Sequence, residues 1–376
     1  MKPISIISLY LFISVSFINL EINAQDEHNK KIVGYILGGN VEEKFDEISP
    51  QKLTHINYAF ANIKEGKIVA GNPKDKKRLE KINLLKKDNP DLKILISVGG
   101  WSWSGGFSKA VATPAAREKF ANSGISFLQK HKIDGIDLDW EYPGQPGAGN
   151  PHTPEDKQNF TSILKLFRKK LDSLGQIDQE KYLLTIATAA NQQYLDHVEL
   201  EKIHPYLDFI NIMSYDYQGG WNDLTSHHTN LYVSNTDPEQ YKQSTQIAVK
   251  EHLNAGAPSE KLIVGVAFYG RGWHDTKKEN NGLHQPAMGN AFSINYREIK
   301  DSLQSGNYKY HWDKQANAPY LWREDTGTFI TYDDPESIKK KAKFIKQNNL
   351  GGAMFWQYHG DDGQLLEALY TELKKQ

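Results

Sequence analysis

The sequence predicts a closed (β/α)8 barrel of the TIM type with an α+β subdomain inserted between its seventh and eighth strands. Three observations lead there. Eight short apolar stretches recur along the 376-residue chain, segments rich in Lys, Glu and Leu separate most of them, and one gap of roughly 80 residues breaks the rhythm late in the chain. Strands alternating with helices argue for a parallel sheet, and eight such units suffice to close a barrel.

The chain opens with Lys2, an apolar run from Ile4 to Leu20, and Ile22-Asn23-Ala24 ahead of polar residues. This is the pattern of a signal peptide, residues 1–24, cut after Ala24. An uncleaved anchor is the alternative, because the run approaches spanning length. Residues 25–376 then form one catalytic barrel. Its strands are expected at 31–38, 55–63, 93–100, 135–142, 183–190, 209–217, 261–270 and 351–358, with helices at 74–88, 114–131, 154–174 and 335–348. The long gap, 274–334, is rich in Tyr, Asn, Gly and Trp and alternates like short antiparallel strands, which marks it as the insertion.

Composition narrows the partners. With 45 basic and 46 acidic residues, net charge −1, the chain carries no electrostatic footprint for nucleic acid or an anionic membrane. A neutral partner fits better, since 11% of residues are aromatic, 8 of them Trp, and aromatic faces grip uncharged polymers by stacking. The absence of cysteine excludes disulfides, thiolate zinc sites and thiol nucleophiles. A secreted chain without cysteine points to a bacterial source and an extracellular or periplasmic location. A monomer free of the membrane after signal removal is the expectation.

One stretch demands a chemical explanation. DGIDLDWEYP, residues 134–143, places Asp137, Asp139 and Glu141 on one face of a strand and Ile136, Leu138 and Trp140 on the other. In a barrel the acidic face is the lumen, and Glu141 lies nearest the C-terminal end where active sites of this fold sit. Three carboxylates in file cannot all ionise cheaply, so they form a coupled set in which Glu141 is the candidate for an acid still protonated near neutral pH. A solvated edge strand is one alternative and a divalent-cation site another. No carboxylate or His cluster elsewhere complements the row, so neither a metal nor any other cofactor is expected.

DGIDLDWEYP resembles the DxxDxDxE signature of glycoside hydrolase family 18, the chitinases. The resemblance runs in order through the chain: VGY (33–35) in the first strand, SVGG (97–100) in the third, MSYD (213–216) in the sixth, FYGRGW (268–273) at the seventh, and the run into the eighth. It implies a substrate of chitin or chito-oligosaccharides and a role for each matching residue. Glu141 would be the general acid and base, and Asp139 the carboxylate that orients the substrate's acetamide. Asp137 would share a proton with Asp139, with Tyr35 and Ser97 bonded to that inner acid. Tyr215 would hold the acetamide. Met213, Asp216, Tyr269 and Arg271 would form walls, and Phe60, Gly99, Gly100 and Trp356 would line the site, Trp356 as its floor.

Read without the resemblance, Ser97, Gly99 and Gly100 are an ordinary strand-to-loop turn, and Trp356 fits a core equally well. Trp101, Trp103 and Trp221 lie in Gly-rich loops that suit sugar stacking. The adjacent pair His227-His228 invites a metal but reads better as a loop detail. The first strand, VGYILGG, lacks a second aromatic after Tyr35, which bears on the far end of the cleft. Two other readings stay open: a glycan-binding lectin on the same barrel, and a hydrolase of other N-acetylglucosamine glycans.

Overall fold

A computed structural model describes residues 30–287 and 291–375; the segment expected to be a signal peptide lies outside them. The chain begins with β1 (Lys31–Leu37), β2 (His55–Lys64), a short antiparallel return β3 (Lys67–Ala70), and β4 (Lys93–Gly99). There follow β5 (Gly135–Asp139), β6 (Leu183–Ala189), β7 (Phe209–Met213) and β8 (Leu262–Ala267). Next come β9 (Tyr269–Trp273), β10 (Ala291–Asn295), β11 (Lys309–Asp313), β12 (Ala318–Arg323), β13 (Thr328–Tyr332) and finally β14 (Gly352–Trp356). Parallel neighbours run β1-β14-β8-β7-β6-β5-β4-β2, and β1 also pairs with β2, which closes an eight-stranded barrel.

The helices that wrap it form where the sequence supplies both a cap and an apolar face. In Pro114–His131 the Thr113 side chain accepts from the Ala116 N–H at 3.2 Å, Pro114 occupies the first turn, and the helix stops where Lys132 turns left-handed, φ 53°. Its Phe120, Ala121 and Leu128 are buried, and Gly124 lets it lie close: a Cβ there would stand 2.7 Å from the Phe167 ring. The strand faces divide as the alternation requires. Ile136, Leu138 and Trp140 are buried against the helices, where Trp140 stacks on Phe107 at 5.0 Å. A separate apolar cluster of Val33, Tyr35, Ala59, Phe209, Ile263 and Met354 packs inside the barrel.

Several boundaries differ from expectation, among them the end of the last barrel strand, Trp356 rather than 358. β5 ends at Asp139 rather than 142, and β7 at Met213 rather than 217; in both, the chain leaves the ladder where the loop residues of the mouth begin. The insertion's sheet begins at Tyr269, not after 273. FYGRGW therefore contributes little to the seventh barrel strand: β9 pairs with β10 and β13 in a five-stranded antiparallel sheet ordered β10-β9-β13-β12-β11. Gly270 and Gly272 permit this, since a Cβ at either would press on Thr331 and Ile299 or on the Phe292 ring. With only Phe268 between β8 and β9, no turn signal in the sequence reveals the point of exchange.

A buried ion pair fastens the insertion to the barrel. Lys341, on the helix Pro335–Gln347, donates to Asp333 at 2.9 and 2.6 Å and to the Thr229 hydroxyl at 2.7 Å, while Asp333 also accepts from the Ala267 N–H at the end of β8. Both charged side chains are shut off from solvent. Lys341→Met is therefore expected to destabilise the protein by roughly 3–5 kcal/mol, because Asp333 is left buried without its cation. Urea unfolding measures it, and a loss below about 1 kcal/mol would mean that the pair behaves like a surface contact.

Candidate active site

The acidic strand stands at the centre of the mouth. Register places Ser97 and Thr185 on either side of Asp137, and Gly99 beside Asp139. Asp137 is fully buried and ringed by donors: Tyr35 hydroxyl at 2.8 Å, Ser97 at 2.7 Å, Thr185 at 2.5 Å and the Asn211 amide at 3.4 Å. Burial raises its carboxyl above the usual range and these four bonds pull it back, since they favour the anion. Tyr35 and Ser97 were expected from the resemblance; Thr185 and Asn211 were not.

Asp139 has no such support. Its Oδ1 is buried without a protein partner, and burial, then the charges of Glu141 and Asp137, push its carboxyl well above normal. Glu141 stands just past the strand. Its N–H donates to Ser104 Oγ at 2.9 Å and its carbonyl accepts from the Asn150 amide at 3.2 Å. Burial lifts the Glu141 carboxyl to about 7, against a hydrogen bond from Tyr142 and with help from the charge of Asp216. The row thus holds unequal acids: Asp137 anchored by donors that favour its anion, and Asp139 and Glu141 pushed upward chiefly by burial.

Around the row the remaining residues converge. Trp356 stacks on Phe60 at 5.5 Å and tilts against Tyr35 at 5.8 Å. Phe60 lies over Gly100, φ 75°, where a Cβ would come within 2.7 Å of its ring. Gly99, φ 103°, passes close to the backbone of Asp139 and the Phe107 ring. Both glycines are required by conformation and by space. Across the mouth, Tyr215 packs with Met213 beside Met354, and its hydroxyl points to Met354 Sδ at 3.8 Å. Asp216 turns left-handed, φ 58°, and meets Arg271 in two bonds of 2.8 and 2.7 Å. Arg271 lies over both Tyr269 and Trp221.

The tryptophans separate. Trp101 and Trp221 are 54% and 60% exposed, whereas Trp103 is half-buried against Gly71 and does not share that openness. His227 and His228 are buried beside Asp313 (3.4 Å) and Asp216 (3.5 Å), and among the described residues no group of three or more acidic or His side chains could hold a metal ion. Tyr142 sits between Trp101 and Tyr194, edge-on to each. Tyr194 buries a hydroxyl without a partner near Asp139 and Glu141. Neither tyrosine was singled out in the sequence; Asn211 could have been, as the lone polar residue in the apolar run of β7, whereas Thr185 shares β6 with Thr188.

A (β/α)8 barrel that aims a proton-holding acid and a second buried carboxylate into an aromatic-lined mouth is built as a glycoside hydrolase. Comparison with known proteins fixes the family: residues 31–361 match the glycosyl hydrolases family 18 profile, and the chain belongs to that family. It is 37% identical to chitinase A1 of Niallia circulans over 96% of its own length, and spans 61% of that longer protein. It superposes with a TM-score of 0.85 on a family 18 N-acetylglucosaminidase from Paenibacillus barengoltzii, at 40% identity, covering 92% of this chain and all of that one. Chitinase ChiW of Paenibacillus sp. FPU-7 gives 0.86 at 41% identity, covering 92% of this chain and 43% of the other.

The acid's environment sets a pH limit. If Glu141 must be protonated to act, turnover falls as pH rises through about 7. Asp216→Asn removes a negative charge that raises the Glu141 carboxyl and leaves Arg271 uncompensated. Both changes lower its proton affinity, so the alkaline limb of the pH–rate profile is expected to move to lower pH. A shift to higher pH, or none, would show that Asp216 does not face the acid electrostatically.

Proposed function

We propose that the protein is a secreted chitinase that cleaves β-1,4 bonds between N-acetylglucosamine units with retention of configuration. The observation that carries this reading is the buried pair at the mouth, Glu141 with its carboxyl raised to about 7 beside Asp139 with its unpartnered Oδ1. Glu141 gives its proton to the glycosidic oxygen as the C1–O bond breaks. The acetamide oxygen of the same sugar attacks C1 in place of a protein nucleophile, and a cyclic oxazolinium ion results. Asp139, sharing its proton with Asp137, meets that cation as an anion and stabilises charge that appears only during reaction. Tyr215 holds the acetamide in the attacking pose. Water then loses a proton to Glu141 and attacks C1, which opens the ring and restores the acid. Two inversions give the β-anomer.

The roles of Tyr35, Ser97, Thr185 and Asn211 follow from their bonds to Asp137, and those of Phe60 and Trp356 from their stacked rings beneath the mouth. A chitinase name on the Niallia circulans and ChiW relatives supports the substrate. The expected signal segment supports export, which no described residue addresses. A second reading, release of single N-acetylglucosamine units from chain ends, is favoured by the P. barengoltzii enzyme, which this chain matches along that protein's whole length. A binding-only lectin is disfavoured because Glu141, Asp139 and Tyr215 are all present.

Product analysis decides among these. On partly deacetylated chitosan, every new reducing end is expected to be N-acetylglucosamine, first released as the β-anomer by NMR, because a free amine cannot form the cyclic ion. Glucosamine ends in quantity, or initial α-anomer, would overturn the mechanism. Oligomers released from colloidal chitin would set the chitinase reading above the chain-end one.

A further inference from the structure

The barrel lumen holds an amide that no described residue satisfies. Asn57 lies on β2 between His55 and Ala59, and the alternation that turns Tyr58 outward, onto Asp75 at 2.7 Å, turns Asn57 inward. It is fully buried, and neither its Nδ2 nor its Oδ1 has a hydrogen-bond partner among the described residues. Register sets it level with Tyr35 on β1 and Leu95 on β4. Asn211 on β7 is buried in the same lumen. Its Nδ2 makes only long bonds, 3.4 Å each, to the Tyr35 hydroxyl and to Asp137, and its Oδ1 is unpartnered. Tyr35 has one proton to donate, and it goes to Asp137 at 2.8 Å. Burial, then the charges of Asp137 and Asp139, raise the Tyr35 hydroxyl well above its usual value, and Asn57 beside it acts in the opposite direction. Around and below this level the lumen is closed by His55, edge-on to Phe209 at 4.9 Å, and by Val33, Ile263 and Met354.

A buried amide left unpaired is costly, and ordered water satisfies such groups where the protein does not. Here the polar partners that a buried water needs are present: both ends of Asn57, Asn211 Oδ1 and the Tyr35 oxygen. We propose that Asn57 is a positioning residue for the inner acid, binding ordered water in the lumen between itself, Asn211 and the Tyr35 hydroxyl. Water that accepts from Asn57 Nδ2 donates to the Tyr35 oxygen and to Asn211 Oδ1, and Asn57 Oδ1 accepts from the same cluster. The phenol proton then stays committed to Asp137, and the Asn211 N–H groups stay aimed at Tyr35 and Asp137. Of the groups that face Asp137, only Tyr35 on β1, and Asp139 and Glu141 on its own line, titrate. Ser97, Thr185 and Asn211 face it from β4, β6 and β7, and β2, β8 and β14 present Asn57, Ile263 and Met354. Asn57 thus acts on catalysis through Tyr35, without touching substrate. Its effect on turnover rests on the chitinase reading above; its effect on the charge of Asp137 does not.

Diffraction and carboxyl titration on the full chain test this. A crystal structure of the wild-type protein is expected to show water within hydrogen-bonding distance of Asn57 and of Tyr35 or Asn211. Asn57→Leu, similar in size, is expected to displace that water and still fold, because an apolar group replaces a buried amide. With Tyr35 held less firmly the Asp137 anion loses support, so the lower apparent pKa of the Asp137–Asp139 pair rises, by roughly 0.5–1 unit. The acid limb of kcat/KM on a soluble aryl glycoside of the N-acetylglucosamine disaccharide should move to higher pH by the same amount. The alkaline limb set by Glu141 should stay. Carbon NMR of labelled aspartates follows the titration without substrate. Asn57→Ser, which keeps a hydroxyl and leaves room for water, is expected to hold the wild-type limb. A lumen in which the Asn57 amide bonds directly to protein with no water would overturn the proposal, whether or not Asn57→Leu folds. So would an unmoved acid limb and aspartate titration in Asn57→Leu, or an equal shift in Asn57→Ser. A wild-type protein inactive on the glycoside, whose aspartate titration still shifts in Asn57→Leu, would overturn the chitinase reading and support this one.

Discussion

Three buried carboxylates, two on β5 and one just past its end, cannot all carry charge cheaply, and the molecule is organised around that constraint. Asp137, Asp139 and Glu141 are each less than one-tenth exposed. Their surroundings differ in what they offer an anion: four donors to Asp137, none to Asp139 Oδ1, and one from Tyr142 to Glu141. That inequality, more than the carboxylates themselves, produces an acid that keeps its proton near neutrality beside a carboxyl that can gain or lose one. Neighbouring features serve it. Gly99 lets β4 approach Asp139, Ser104 fixes the Glu141 backbone, and the apolar cluster of Val33, Phe209 and Ile263 fills part of the barrel interior.

The two sheets divide the work. Seven of the eight barrel strands carry a residue named at the site, and the exception, β8, ends on the Asp333 anchor. The antiparallel sheet contributes Tyr269 and Arg271 from its β9 and holds the loop that bears Trp221. Arg271 is the hinge of this arrangement, paired to Asp216 on one side and laid over Trp221 on the other. The buried Lys341–Asp333 pair joins the sheets with several hydrogen bonds and no exposed charge.

The barrel and the acidic row were legible in the sequence because both rest on local periodicity. Residues alternating along DGIDLDWEYP must fall on two faces, whatever packs around them, and Trp140 does stack against the helices as the alternation requires. Thr185 and Asn211 escaped notice for the opposite reason. Their importance comes from barrel register, which sets Thr185 level with Asp137 one strand away and brings Asn211 in from two strands away; spacing along the chain does not encode that. The start of the insertion was misplaced because only Phe268 separates β8 from β9, so no break in the sequence marks where the chain changes sheets. Trp103 looked like Trp101 in the same loop, and only packing against Gly71 tells them apart.

Neutron diffraction from deuterated crystals near pH 6 would test the central claim most directly, since it locates the protons on the three carboxyl groups. The expected result is a deuteron on Glu141 and on Asp139, with Asp137 ionised and accepting from Tyr35, Ser97 and Thr185. An ionised Glu141 at that pH, or a deuteron on Asp137 beside a bare and charged Asp139, would contradict the account.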